Sequence, residues 1–224
     1  MTATKAVIFD MDGVISETQS LHAKAEQVAL KTVGINLSPE EISERFSGIY
    51  DKTWFAQLFT EEGVEADVEK AIAEKWHVME QQIDEHGVRA VPGVLDLITS
   101  LHASKYRLGV GSASPRHFIS HVMQKLALES FMASVHSAEE VARGKPEPDL
   151  FLLIANELGA DPVRCVVIED GRSGMIAARK ASMKCIGLVP DTSGDYPADV
   201  LVTSLTTVTP DTIVNLLGAS FPDS

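Results

Sequence analysis

From residue 91 onward the chain alternates short apolar β-forming runs with capped helical stretches, and this alternation constrains the fold more than any other feature. Strands are expected over 106–111, 132–136, 164–168, 184–189 and 199–202. Helices are expected over 93–102, 115–126, 147–158 and 172–181, with a last one after Pro210. Such alternation implies an α/β fold, a Rossmann-like parallel sheet with helices on both faces. A further strand is expected over 5–9, a short β-rich run too brief for a helix. Roughly seventy residues with a helical pattern separate it from the rest. The economical reading is an all-helical insert after the first strand. The expected domains are an α/β core of 1–15 and 88–224 and a helical cap of 16–87, with linkers near 14–18 and 85–91.

Within the insert, Ser38-Pro39-Glu40-Glu41 is a strong helix start: a capping hydroxyl, proline at the first position, and acids at the positive end of the dipole. Helices are expected over 21–33, from 39, over 51–60 and over 67–83, with glycines at 34, 48 and 63 as punctuation.

The first strand ends on Asp10-Met11-Asp12-Gly13. Open α/β sheets place their chemistry at the carboxyl ends of strands. Two carboxylates two residues apart at such a point repel each other unless a cation or a shared proton relieves them. This spacing suits a nucleophilic aspartate beside an acid/base aspartate with a divalent metal, and equally a polar turn exposing two acids.

Three later junctions carry residues of matching chemistry. Ser112-Ala113-Ser114 precedes Pro115, offering a hydroxyl and N–H groups at a helix entrance as an anion cradle; Ser114 is the natural N-cap, leaving Ser112 as the better binding candidate. Lys145 is pinned between Gly144 and Pro146. Glu169-Asp170 closes a strong β run, and hard divalent cations such as Mg²⁺ prefer carboxylate oxygens.

Composition sets bounds. The formal net charge of −13 disfavours a nucleic-acid partner, which requires a basic face. Any anion site must be built locally. No apolar run approaches the ~20 residues of a membrane span. Cys165 and Cys185 sit in apolar runs and read as buried thiols, consistent with a reducing, cytoplasmic setting.

The order Asp-x-Asp, Ser, Lys, Glu-Asp, each after a strand, resembles the haloacid dehalogenase-like superfamily, and most of all its β-phosphoglucomutase-like branch with a small helical cap. The resemblance rests on Asp10-Met11-Asp12-Gly13-Val14, Ser112, Lys145-Pro146 and Ile168-Glu169-Asp170-Gly171. It implies that Asp10 attacks phosphorus to form an aspartyl-phosphate and that Asp12 serves as acid and then base. It further implies Mg²⁺ held by Asp10, the Asp12 carbonyl, Glu169 and Asp170, and phosphoryl oxygens held by Ser112, the Ala113 N–H and Lys145. In the cap, His22 matches a histidine of the mutases. The loop Ser47-Gly48-Ile49-Tyr50-Asp51 matches the specificity loop, where mutases carry an arginine and this chain has Asp51. Lys75 stands within one residue of a family cap lysine.

The expectation is a Mg²⁺-dependent phosphatase of a small phosphorylated metabolite, such as a sugar phosphate, with cap closure excluding water. The alternatives are a sugar phosphomutase and a catalytically silent binding module. An acid at Asp51 would repel the second phosphate of a bisphosphate, which favours the phosphatase.

Overall fold

The computed structural model describes residues 4–46 and 51–218. The chain divides into two compact units, Met1–Glu17 with Arg89–Ser224 and Thr18–Val88. The first holds strands β1 (Ala6–Phe9), β2 (Arg107–Ser112), β3 (Ser134–Ser137), β4 (Cys165–Glu169), β5 (Lys184–Leu188) and β6 (Val200–Val202). They form one parallel sheet in the order β3-β2-β1-β4-β5-β6. With the second unit's α1 (Gln19–Thr32), α2 (Pro39–Phe46), α3 (Asp51–Glu61) and α4 (Val68–His86) taken first in chain order, the first unit's helices are α5 (Val94–Ala103), α6 (Arg116–Lys125), α7 (Asp149–Glu157), α8 (Arg172–Lys180) and α9 (Pro210–Leu217).

The α/β expectation is met, and the reason is visible strand by strand. β1 reads Ala-Val-Ile-Phe and is wholly buried, as a central parallel strand must be. Its alternate residues serve two layers. Ala6 and Ile8 join Leu150, Phe151 and Ile154 of α7 and Met175 of α8 in one cluster, while α5 and α9 cover the other face. Strand order reverses direction at β1, so the carboxyl ends of β1, β2 and β4 form the crevice where open α/β sheets bind ligands.

Two glycines let α7 approach β2 closely. A Cβ on Gly111 would lie 2.6 Å from Ile154 Cδ1, and one on Gly109 would lie 2.6 Å from Ile154 Cγ2. Gly93 caps α5 at φ 88°, and a Cβ there would meet the Thr206 backbone nitrogen at 2.6 Å. It therefore serves both the turn and the packing of the C-terminal segment.

The second unit packs around Leu30, Ile42, Phe46, Trp54, Phe55, Leu58 and Phe59. Trp54 stacks on Phe46 and Phe55. Its α2 starts as the sequence indicates. Ser38 Oγ accepts from the Glu41 N–H at 3.2 Å, and Glu41 Oε2 accepts from the Ser38 N–H at 2.8 Å. Asp67 caps α4 by accepting from the Lys70 N–H. No helix among the described residues is long and apolar enough to cross a membrane.

The β2–α7 approach has a measurable consequence. Gly111→Ala is expected to destabilise the protein by about 1–3 kcal/mol through overpacking, and adding Ile154→Val, which removes the clashing methyl, should recover part of it. Chemical denaturation of the single and double variants checks this.

Candidate active site

Lys145 joins the three central strands at their carboxyl ends. Its Nζ donates to Glu169 Oε1 at 2.8 Å, to the Gly111 carbonyl at 3.0 Å, and to Asp10 Oδ1. These partners stand at the ends of β4, β2 and β1. Lys145 also lies over the Phe151 ring, 5.0 Å from its centroid. The side chains of Lys145, Asp10 and Glu169 are 7%, 9% and 4% exposed. Such burial of charge is tolerated only when the charges are paired.

Asp10 is fixed from both ends. Its backbone N–H donates to the Ile168 carbonyl at 2.9 Å, extending the β1–β4 ladder one residue past the strand. After Asp12 the chain turns at Gly13, with φ 83°, and the Ile15 and Ser16 N–H groups both donate to the Met11 carbonyl. A left-handed residue is what this reversal requires. Asp12 is thereby brought against β2. Its Oδ2 accepts from Ser112 Oγ at 3.1 Å and Ser114 Oγ at 2.7 Å.

Ser114 is the principal correction to the sequence reading. It does not cap the next helix: α6 begins at Arg116, with Pro115 at the cap position and no side-chain cap. The hydroxyl goes instead to Asp12, while Ser112 Oγ accepts from the Ser114 N–H at 3.0 Å. Ala113 sits between these two serines at the exit of β2.

Electrostatically the site gathers four carboxylates, Asp10, Asp12, Glu169 and Asp170, against the one ammonium of Lys145. Burial pushes the Asp10 carboxyl well above the usual range. Lys145 opposes that shift, and Glu169, Asp170 and Asp12 add to it. Asp170 is pushed up to about 7, by burial and then by Glu169. Burial pulls Lys145 down, but Asp10 and Glu169 outweigh it and hold the ammonium above the ordinary lysine range.

The donor set is all oxygen and carries excess negative charge, which fits Mg²⁺ rather than a softer metal. Asp10, the Asp12 carbonyl, Glu169 and Asp170 are the residues that would hold it. Of these, Glu169 has Oε1 on Lys145 and Oε2 accepting from the Gly171 N–H at 2.6 Å.

Gly174, inside α8, completes the site and was missed in the sequence. A Cβ there would lie 1.6 Å from Glu169 Oε1. Its signal was a glycine within a helix, a placement that costs about 1 kcal/mol relative to alanine and calls for a packing reason.

The cap candidates are found within the second unit. Lys75 is buried there, with Nζ 2.6 Å from Asp51 Oδ1 and 2.9 Å from Glu26 Oε1, so Asp51 is a paired acid rather than a free one. Trp54 Nε1 donates to the same Asp51 oxygen at 3.3 Å. His22 meets Trp76 edge-on at 5.4 Å. His77 pairs with Gln81 in an exposed position. Gly48, with the rest of 47–50, lies outside the described residues.

Gly174→Ala should force Glu169 off Lys145 and reduce turnover roughly 10²–10³-fold, as loss of one positioned electrostatic group does, with circular dichroism unchanged. Asp170→Asn tests the charge balance. A carboxyl whose folded pKa is raised destabilises the fold when ionised, increasingly so as pH rises towards 7. The variant in metal-free buffer should therefore melt about 2–5 °C higher at pH 8, with the gain shrinking towards pH 5.

The profile of the family described as haloacid dehalogenase-like hydrolase matches residues 7–188. Hexitol phosphatase B of Escherichia coli K12 is 30% identical over 213 residues, covering 91% of this chain and 94% of that one. A fructose-1-phosphate phosphatase of the same organism is 31% identical over 182 residues, covering 80% and 94%. The crystal structure of a β-phosphoglucomutase from Clostridium difficile superposes with a TM-score of 0.80 at 25% identity, covering 96% and 98%. The chain therefore belongs to the haloacid dehalogenase-like hydrolase family, and its enzyme class is that of the phosphoric monoester hydrolases.

Proposed function

We propose that the protein is a Mg²⁺-dependent phosphatase of small phosphorylated metabolites, sugar or sugar-alcohol phosphates, working through an aspartyl-phosphate on Asp10. The observation that carries this reading is the convergence of Asp10, the Gly111 carbonyl and Glu169 on one buried lysine, with Asp12 alongside. The phosphatase relatives support the substrate class by their names.

In this mechanism Asp10 attacks phosphorus, splitting one displacement into two. Asp12 protonates the departing oxygen and then takes a proton from the incoming water. The Ser114 hydroxyl on its Oδ2 holds that carboxyl in place between the two steps, while the Ser112 hydroxyl turns from Asp12 to the arriving phosphoryl group. Ser112, the Ala113 N–H and Lys145 receive the remaining phosphoryl oxygens, where charge must be stabilised. When bound, Mg²⁺ supplies positive charge that lets a carboxylate approach a dianionic phosphate. Two neighbouring aspartates need different environments for these roles. Asp10 lies against the lysine and Asp12 against two hydroxyls, which is such a difference.

The mutase alternative requires a cation for a second phosphate. Lys75 in the second unit is already balanced by Glu26 and Asp51, which favours hydrolysis of a monophosphate. We assign the choice of the sugar portion to that unit, with His22, Gly48, Asp51 and Lys75 as its candidate determinants.

Phosphate release from hexitol phosphates and fructose 1-phosphate should require Mg²⁺, stop with EDTA, and fall at least about 10³-fold in Asp10→Asn, by analogy with loss of a nucleophile elsewhere. β-Glucose 1-phosphate primed with glucose 1,6-bisphosphate, assayed in parallel, should yield free phosphate rather than glucose 6-phosphate. Rapid isomerisation without phosphate release would overturn the hydrolytic reading.

A further inference from the structure

The edge strand β3 holds a histidine in an unusual setting. His136 is largely buried, 12% exposed, and both ring nitrogens face carboxylates. Nδ1 is 2.5 Å from Glu140 Oε2, and Nε2 is 2.8 Å from Glu157 Oε2. The Glu157 contact is an ion-pair distance without hydrogen-bond alignment. A neutral imidazole carries one N–H and turns a lone pair to its second neighbour; only the imidazolium suits both acids. Glu157 is held from the other side by Ser134 Oγ at 2.9 Å. Glu140 also pairs with Arg116 of α6 at 3.3 Å, and Glu139 accepts from the Arg116 N–H at 3.2 Å. On the β2 side, His136 is paired with Gly111, which brings no charge.

This cluster is tied to the active site by a short path. Glu140 accepts from the Ser137 N–H at 3.0 Å, closing a capping box on the 3-10 turn Ala138–Glu140. Ser137 Oγ, fully buried, donates to the Ser114 carbonyl at 2.8 Å. Ser114 Oγ donates to Asp12. Glu140 is thus the hub between the histidine and the loop carrying Ser112 and Ser114.

We propose that protonated His136 is a positioning residue: by neutralising Glu140 and Glu157 it fixes the 3-10 turn, and through Ser137 it sets Ser114 against Asp12. The consequence for catalysis rests on the phosphatase reading, whereas the coupling of His136 to Ser114 does not. The electrostatics are in keeping. Burial pulls the imidazole down, yet Glu157 and Glu140 outweigh it and raise its pKa. A raised histidine contributes fully below its ordinary pKa, and the contribution is lost as pH rises through the folded value. The site loop should therefore be best ordered at mildly acidic to neutral pH.

The test is a pH titration of the full chain by NMR, following the His136 ring nitrogens and the Ser114 amide. In the wild type the two should share one midpoint. In Glu157→Gln, a change at the C-terminal end of α7 and remote in sequence from Asp10 and Asp12, both midpoints should fall together; in His136→Gln the Ser114 transition should vanish. A Ser114 amide that does not titrate, or whose midpoint ignores Glu157→Gln, overturns the proposal. Kinetics add a second readout. The wild-type to His136→Gln ratio of kcat/KM, in which substrate titration cancels, should be about tenfold near pH 6 and approach one near pH 9. A ratio that is the same at every pH means a merely structural histidine and also overturns the proposal. Absence of turnover by the wild type at any pH counts against the phosphatase reading alone, and the amide titration still decides the coupling.

Discussion

The buried ammonium of Lys145 is the interaction on which the candidate site depends. It is the point where β1, β2 and β4 meet through side chains rather than through the backbone ladder. Truncating it would leave Asp10 and Glu169 as uncompensated buried charges, a loss far larger than that of an exposed pair. The same contact explains two glycines. Gly111 lends its carbonyl to Lys145 and, lacking a Cβ, lets α7 close on β2, and Gly174 gives Glu169 the space to reach the lysine. Stability and chemistry share these residues, so the site cannot be altered without touching the centre of the sheet.

The second unit repeats the theme on its own scale, with Lys75 between Glu26 and Asp51 and a tryptophan N–H on the same acid. Here two acids meet one cation. The cation is therefore already balanced inside its own unit.

Much of this was legible in the sequence because it is written locally. The apolar runs of β1 and β4 are continuous, and the Ser38 capping box and the glycine after Asp12 follow rules spanning a few residues. Less was legible where polar residues sit in strands or tertiary partners outbid local ones. β3 occupies Ser134–Ser137 rather than 132–136, and its two end serines are buried polar groups that a hydrophobic pattern does not mark. β2 reaches Ser112, one residue beyond expectation. Ser114 obeys the local rule for a cap in sequence, but Asp12, 102 residues away, takes its hydroxyl. The pairing of Lys75 with Asp51 spans 24 residues and joins two helices, so no periodicity could reveal it.

One detail of β1 acquires meaning once Asp10 is viewed as a nucleophile. Its main chain is stitched to Ile168 beyond the end of the strand, so the backbone has no slack with which to retreat from an arriving phosphoryl group. Its side chain is held from the other side by Lys145. The carboxylate is thus anchored twice, through its main chain to β4 and through its side chain to the lysine, so its direction is set by the sheet itself rather than by a mobile loop.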